Sequence, residues 1–174
     1  MTRRGFTIVE LIITITIMGI LLTLAVVNVN STQIQARDTE RKVDIESIAN
    51  ALEGYYLTGA DGSINLGRYP SVALADDVST LNTNLRDIDL KSFTAPGVDD
   101  PMTTFIASTN TGNAKGIQTT AGVLPQPTKD QYVYQAIKTD GSICAAGVVD
   151  CRKFNLFYRL EGDNTVYKVT SKNQ

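Results

Sequence analysis

The chain has no histidine and no tryptophan, and only two cysteines among its 174 residues. Without histidine, neither a Ser–His–Asp nor a Cys–His arrangement can be assembled, and the commonest nitrogen ligand for a metal is missing. Cys144 and Cys151 stand too far apart for a Cys-x-x-Cys redox or zinc motif. No glycine-rich loop has the pattern that cradles phosphate. Basic residues number 16 against 18 acidic, a net charge of −2, so nothing points to nucleic acid as a principal partner. Ser–Lys or paired-carboxylate chemistry is compatible with this composition, yet no motif marks either. The expectation is a protein that is not an enzyme and carries no cofactor.

What the chain does have is a long apolar run from Gly5 to Val29, interrupted by a single carboxylate, Glu10. About 20 apolar residues suffice to cross a bilayer as a helix. An ionisable group in such a span costs roughly 2.5–3.5 kcal/mol on insertion scales, so its presence calls for a reason. Arg3 and Arg4 precede the run and little positive charge follows it directly, which predicts a cytoplasmic N-terminus and an outside C-terminal domain. A disulfide between Cys144 and Cys151 could persist in that outer, oxidising compartment. Two plainer readings compete. A secretory signal has a shorter apolar core, about 7–15 residues, followed by a small-x-small cleavage site. Here the run is longer, and Ile34-Gln35-Ala36 lacks the first small residue. An ordinary signal anchor gains nothing from Glu10.

The basic leader, the Gly5-Phe6 junction and Glu10 five residues into the remaining chain resemble a type IV prepilin or a pseudopilin of type II secretion. The resemblance is carried by the first 30 or so residues. It implies that a prepilin peptidase cuts between Gly5 and Phe6 and that Phe6 becomes an N-methylated terminus. It also implies that Glu10 pairs with the terminal amine of a neighbouring subunit during filament assembly. The plain alternative is a Glu10 hydrated near the cytoplasmic face and merely tolerated. Family members often carry a glycine at the place of Gly19 and a proline eight residues on, where this chain has Val27. The fold implied is α+β: one long N-terminal helix, transmembrane then amphipathic, on a small antiparallel sheet. Implied partners are further copies in a homo-oligomeric filament, the peptidase, an assembly platform and the inner membrane before assembly. The location is then the cytoplasmic membrane first, and an extracellular pilus or periplasmic pseudopilus afterwards. A type IV pilus subunit is the first reading and a pseudopilin of a secretion or DNA-uptake system the second. A membrane-tethered binding domain that never polymerises is the reading from another class.

Beyond the leader (1–5) and the apolar half (6–29), no turn signal appears, and the helix is predicted to run on through 30–57. Ile45, Ile48, Leu52 and Tyr55 recur at intervals of three and four, the stripe of a helix lying on a core. Asp38–Lys42 and Lys42–Glu46 have i,i+4 spacing. Thr58 to Gly62 has turn chemistry that ends the helix. Region 58–128 reads as loop-rich, with one helix expected within Ser71–Leu90 and an exposed, mobile loop over Ala107–Gly122. Region 129–174 reads as the sheet, with strands at Tyr132–Lys138, Phe154–Glu161 and Val166–Thr170 and antiparallel pairing. Phe154, Leu156, Tyr158 and Leu160 are assigned to the core face. The Cys144–Cys151 disulfide is expected within the first strand connection. Asp61, Asp99, Asp100 and Asp163 raise a calcium hypothesis, but their spacing fits no calcium loop, so solvated turn carboxylates are expected and no metal. The tyrosines at 55, 56, 132, 134, 158 and 167 are expected in core and sheet surface.

Overall fold

The computed structural model describes residues 5–59 and 66–173. Two compact units divide the chain, Met1–Ala36 and Arg37–Gln174, the second called the head below. Helix α1, Ile8–Thr58, passes through both. Its first unit is apolar and bare: Ile12, Ile13, Ile15 and Ile17 are all more than half exposed. β-Branched residues are mediocre helix formers in water. A backbone in lipid must satisfy its own hydrogen bonds, which favours helix regardless. The threonines hide their polarity in the same way: Thr14 donates to the Leu11 carbonyl at 2.8 Å, Thr23 to that of Ile20 at 2.7 Å, and Thr16 to that of Ile12. The helix is unbroken at Gly19 and at residue 27. It stops where Gly59 turns left-handed (φ 71) and its amide reaches back to the Tyr55 carbonyl, a glycine C-cap.

In the head, Ile45, Ile48, Leu52 and Tyr55 are buried in one cluster with Tyr132, Tyr134, Phe154, Leu156, Tyr158 and Leu160. The predicted stripe of the helix therefore lies on the predicted face of the sheet. The sheet itself is mixed. Strands β1 (Phe105–Ala107), β2 (Tyr132–Lys138), β3 (Cys151–Arg159) and β4 (Val166–Thr170) lie in that order. β2–β3 and β3–β4 are antiparallel, but β1 pairs with β2 in parallel. The wholly antiparallel sheet expected over 129–174 is thus corrected: its first strand comes from the loop-rich region. Three residues are too few to show a period, so β1 left no mark in the sequence. Its parallel pairing follows from the long crossover, 108–131, that separates it from β2.

That crossover narrows the expectation of an exposed loop over Ala107–Gly122: most of the segment is exposed, but Ser108 and Asn110 are buried. It covers the second face of the sheet, where Val123, Val133 and Phe157 form a smaller core. The Asn110 side chain accepts from Leu124 N–H at 2.8 Å and donates to the Gly122 carbonyl at 3.1 Å. Gln135 donates to the Ile117 carbonyl at 2.9 Å and accepts from Asn155 at 2.9 Å. Small polar residues that read as solvated loop are here the fastening of the loop to the sheet. Residues 111–116 are exposed throughout, as are Thr109, Thr119 and Ala121. At Gly122 an added Cβ would lie 1.8 Å from the Gly116 carbonyl oxygen, so nothing but glycine fits. Phe157, on the strand face opposite Phe154 and Leu156, is buried for the same reason.

The helix expected within Ser71–Leu90 is α2, Val78–Asn84, with 3-10 turns at Val72–Ala75 and Leu90–Phe93 on either side. Asp77 starts α2 by accepting from Thr80 N–H at 2.8 Å. Leu74, Leu81 and Leu85 are buried, and Val78, which stands between the first two, is half-buried. A four-residue helical turn, α3 (Pro101–Thr104), leads into β1. β3 begins three residues earlier than Phe154, so Cys151 is a strand residue rather than part of the connection. The Cys144–Cys151 disulfide has a Cα–Cα separation of 5.7 Å.

Candidate functional site

The N-terminal site is built by the start of α1. Gly5, Phe6 and Thr7 precede the helix, and Phe6 is 74% exposed. Thr7 caps the first turn: its Oγ1 accepts from Glu10 N–H at 3.3 Å and its carbonyl from Leu11 N–H at 3.2 Å. Thr7-x-x-Glu10 is the spacing of a capping box, a signal that was present in the sequence and that the reading of Glu10 as a charge passed over. A carboxylate in the first turn also complements the positive end of the helix dipole. Glu10 is exposed, as are Gly5 and Phe6. At the Gly5–Phe6 bond the first residue has no side chain and the second presents a bare aromatic ring. Arg3 and Arg4 lie outside the described residues. Among the described residues, one helix is long and apolar enough to cross a membrane.

The head holds a second constellation, which the sequence reading missed. Arg41 is fully buried, donating to Asp38 at 2.9 Å and to the Lys129 carbonyl at 2.7 Å, with Glu161 at 3.6 Å. Arg37 grips the same Glu161 with two bonds, at 2.9 and 2.8 Å. The Asp38 carboxylate also accepts from the amides of Glu161 and Gly162, each at 2.8 Å. Asp38 had been assigned to an i,i+4 pair with Lys42; its contacts are with Arg41 and the β3–β4 turn. The Arg37 hydrogen bonds hold the Glu161 carboxyl below its usual range. One turn on, Asp44 accepts from the buried Tyr132 hydroxyl at 3.0 Å. Burial outweighs that bond and pushes the Asp44 pKa up to about 6. These groups tie α1 to β2 and to the β3–β4 turn, and among the described residues no buried side-chain nitrogen or oxygen lacks a hydrogen-bond partner, as befits a fastening.

The remaining candidates are dispersed. Asp100 caps α3 through Met102 N–H at 2.9 Å, and Asp163 accepts from Thr165 N–H at 2.9 Å and from the Tyr167 hydroxyl. Asp99 is exposed, and Asp61 lies outside the described residues. Among the described residues, no three metal-ligating side chains converge. Of the tyrosines, 55, 132, 134 and 158 are buried, 56 is half-buried and 167 exposed, stacked on Tyr158 with centroids 5.7 Å apart. Tyr69 completes the aromatic core between Tyr56 and Phe154. Its hydroxyl donates to Glu53 at 2.9 Å, and burial pushes its pKa up to about 12.

No curated protein and no solved structure matches the chain. Residues 1–26 match the family model described as the prokaryotic N-terminal methylation motif, the prepilin signature, which makes this chain similar to the precursors of type IV pilins and pseudopilins.

Proposed function

We propose that this chain is the precursor of a type IV pilus subunit, cut between Gly5 and Phe6 by a prepilin peptidase and methylated at Phe6. One observation carries the reading: the methylation motif over residues 1–26 takes in the start of a helix whose apolar residues from Ile8 to Leu24 are bare. Bare apolar surface on that scale needs a cover, first lipid and then copies of itself. Removal of Met1–Gly5 takes two arginines away, leaving 14 basic residues against 18 acidic, and creates a terminal ammonium at Phe6. Glu10, in the same low-dielectric surroundings, meets the ammonium of a neighbouring subunit and sets its register. The head contributes structure and surface rather than chemistry, and its disulfide suits an oxidising exterior.

The experiment is mass spectrometry of the mature chain together with electron microscopy of material shed from cells. N-methyl-phenylalanine at position 6 in subunits of a fibre supports the reading. An intact Met1 terminus on a chain that enters no polymer overturns it in favour of a tethered domain.

A further inference from the structure

An open cavity of about 290 Å³ lies beside the aromatic core, within the head alone. Its apolar lining comes from three places. Tyr55 belongs to α1, Tyr69, Pro70 and Leu74 to the stretch that leads into α2, and Val148 and Val149 to the loop closed by the Cys144–Cys151 bond. Ligand pockets run from about 300 Å³ upwards, so this one suits a molecule of single-ring size.

Most polar groups around the cavity are already committed. Thr80 Oγ1 donates to Asp77 at 2.8 Å, Asn84 donates to the Thr80 carbonyl at 2.8 Å, and the Tyr69 hydroxyl is spent on Glu53. Arg68 and Ser71, both half-buried, line the same cavity and differ. Among the described residues, neither side chain makes a hydrogen bond, and the one ion pair of Arg68 is long, 3.8 Å from Asp150 Oδ1. That same oxygen is taken by Arg152 at 2.8 Å, and Arg152 spends a second nitrogen on the Gly67 carbonyl at 2.9 Å. Two guanidiniums therefore share one carboxylate, which leaves a positive charge unmatched beside apolar walls. A guanidinium carries five N–H donors and no acceptor, so what Arg68 lacks is an anion.

We propose that this cavity binds a small organic carboxylate, with Arg68 and Ser71 holding its oxygens and the apolar walls covering its body. A carboxylate matches the planar fork of a guanidinium and supplies the negative charge that the two arginines leave unmatched. A bare inorganic anion would leave the tyrosine, leucine and valine walls wet, whereas a ring or short hydrocarbon chain covers them. The site is a property of the head and does not depend on polymerisation.

The test is a titration of the isotope-labelled full-length chain in detergent with sodium benzoate, followed by amide NMR shifts. Saturable shifts at Ser71, Leu74 and Val148 are expected, with a Kd on the order of 1 mM for so small a ligand. Acetate has the charge without the body and benzamide the body without the charge; each should bind weaker by about tenfold or more. Arg68→Gln should weaken benzoate by about tenfold or more and leave the unfolding temperature without ligand unchanged, since its ion pair is long and partly exposed. Val149→Glu adds a carboxylate to the lining at an exposed position and should weaken benzoate by about threefold. Shifts that do not saturate or that map away from these residues, benzamide binding as tightly as benzoate, or wild-type affinity in Arg68→Gln overturn the proposal. Should Arg68→Gln fail to fold, the comparison of benzoate with acetate and benzamide on the wild-type chain decides alone.

Discussion

Asp44 and Arg41 are neighbours in space with opposite lessons about charge. Asp44 binds a proton more tightly in the folded head than in the unfolded chain, its pKa raised to about 6 from the ordinary 3.8. A raised carboxylate pKa means that folding stability increases as pH falls from about 6 to about 4, and is lower at neutral pH. Glu161 and Asp163, held below their usual range, act the other way and lose their contribution as pH falls below about 4. The head is therefore expected to be most stable between about pH 4 and pH 6, with a gain over pH 7 of roughly 1–2 kcal/mol after solvent screening. The groups facing Asp44 are Tyr132, Glu40, Lys91 and Arg41. Thermal unfolding of the chain in detergent at pH 5 and pH 7 measures this, and Asp44→Asn, which keeps an acceptor for Tyr132, should flatten the difference. Arg41 is a buried cation with fixed partners, so Arg41→Ala strands Asp38 and the Lys129 carbonyl and should cost about 3–5 kcal/mol. Glu10→Ala, by contrast, should be cut and inserted normally but enter fibres poorly, read from the ratio of fibre to membrane subunit.

The elements divide by how much of their period survives burial. The outer half of α1 was legible because its buried positions repeat at 3.6 and its other sides stay wet. Leu52 is wholly buried on that stripe, and Leu52→Ala should destabilise the head by about 2–5 kcal/mol in denaturant unfolding. β2 and β4 were legible as apolar runs between turns. β3 was legible in position but not in its surroundings: Asn155 and Phe157, on the face opposite Phe154 and Leu156, are covered by the 108–131 crossover. A polar residue in a strand looks the same whether its partner is water or, as for Asn155, the Gln135 amide. The crossover is correspondingly intolerant of bulk at its close approach. Gly122→Ala forces the Gly116 carbonyl away and should cost about 1–3 kcal/mol, measured against Asn113→Ser as an exposed loop control.

For the molecule as a whole, an N-terminal unit without a core of its own is joined to a head that has one. Before assembly the full chain should partition into detergent on phase separation, and material in fibres should resist extraction because copies have replaced lipid as the cover. The Cys144–Cys151 bond closes a short loop on the head, and replacing both cysteines by serine should lower its stability by about 2.5 kcal/mol in the entropy picture. The sequence by itself determined the apolar helix, its lone carboxylate, the Gly5–Phe6 junction and the buried stripe, since each is written in consecutive residues or a local repeat. Tertiary structure alone decided the parallel strand β1, the double cover of the sheet and the fastening of Arg37, Asp38 and Arg41 to Glu161 and Lys129. Those rest on contacts between residues scores apart in the chain, and no local period encodes which distant partner will satisfy a buried charge or pair a three-residue strand.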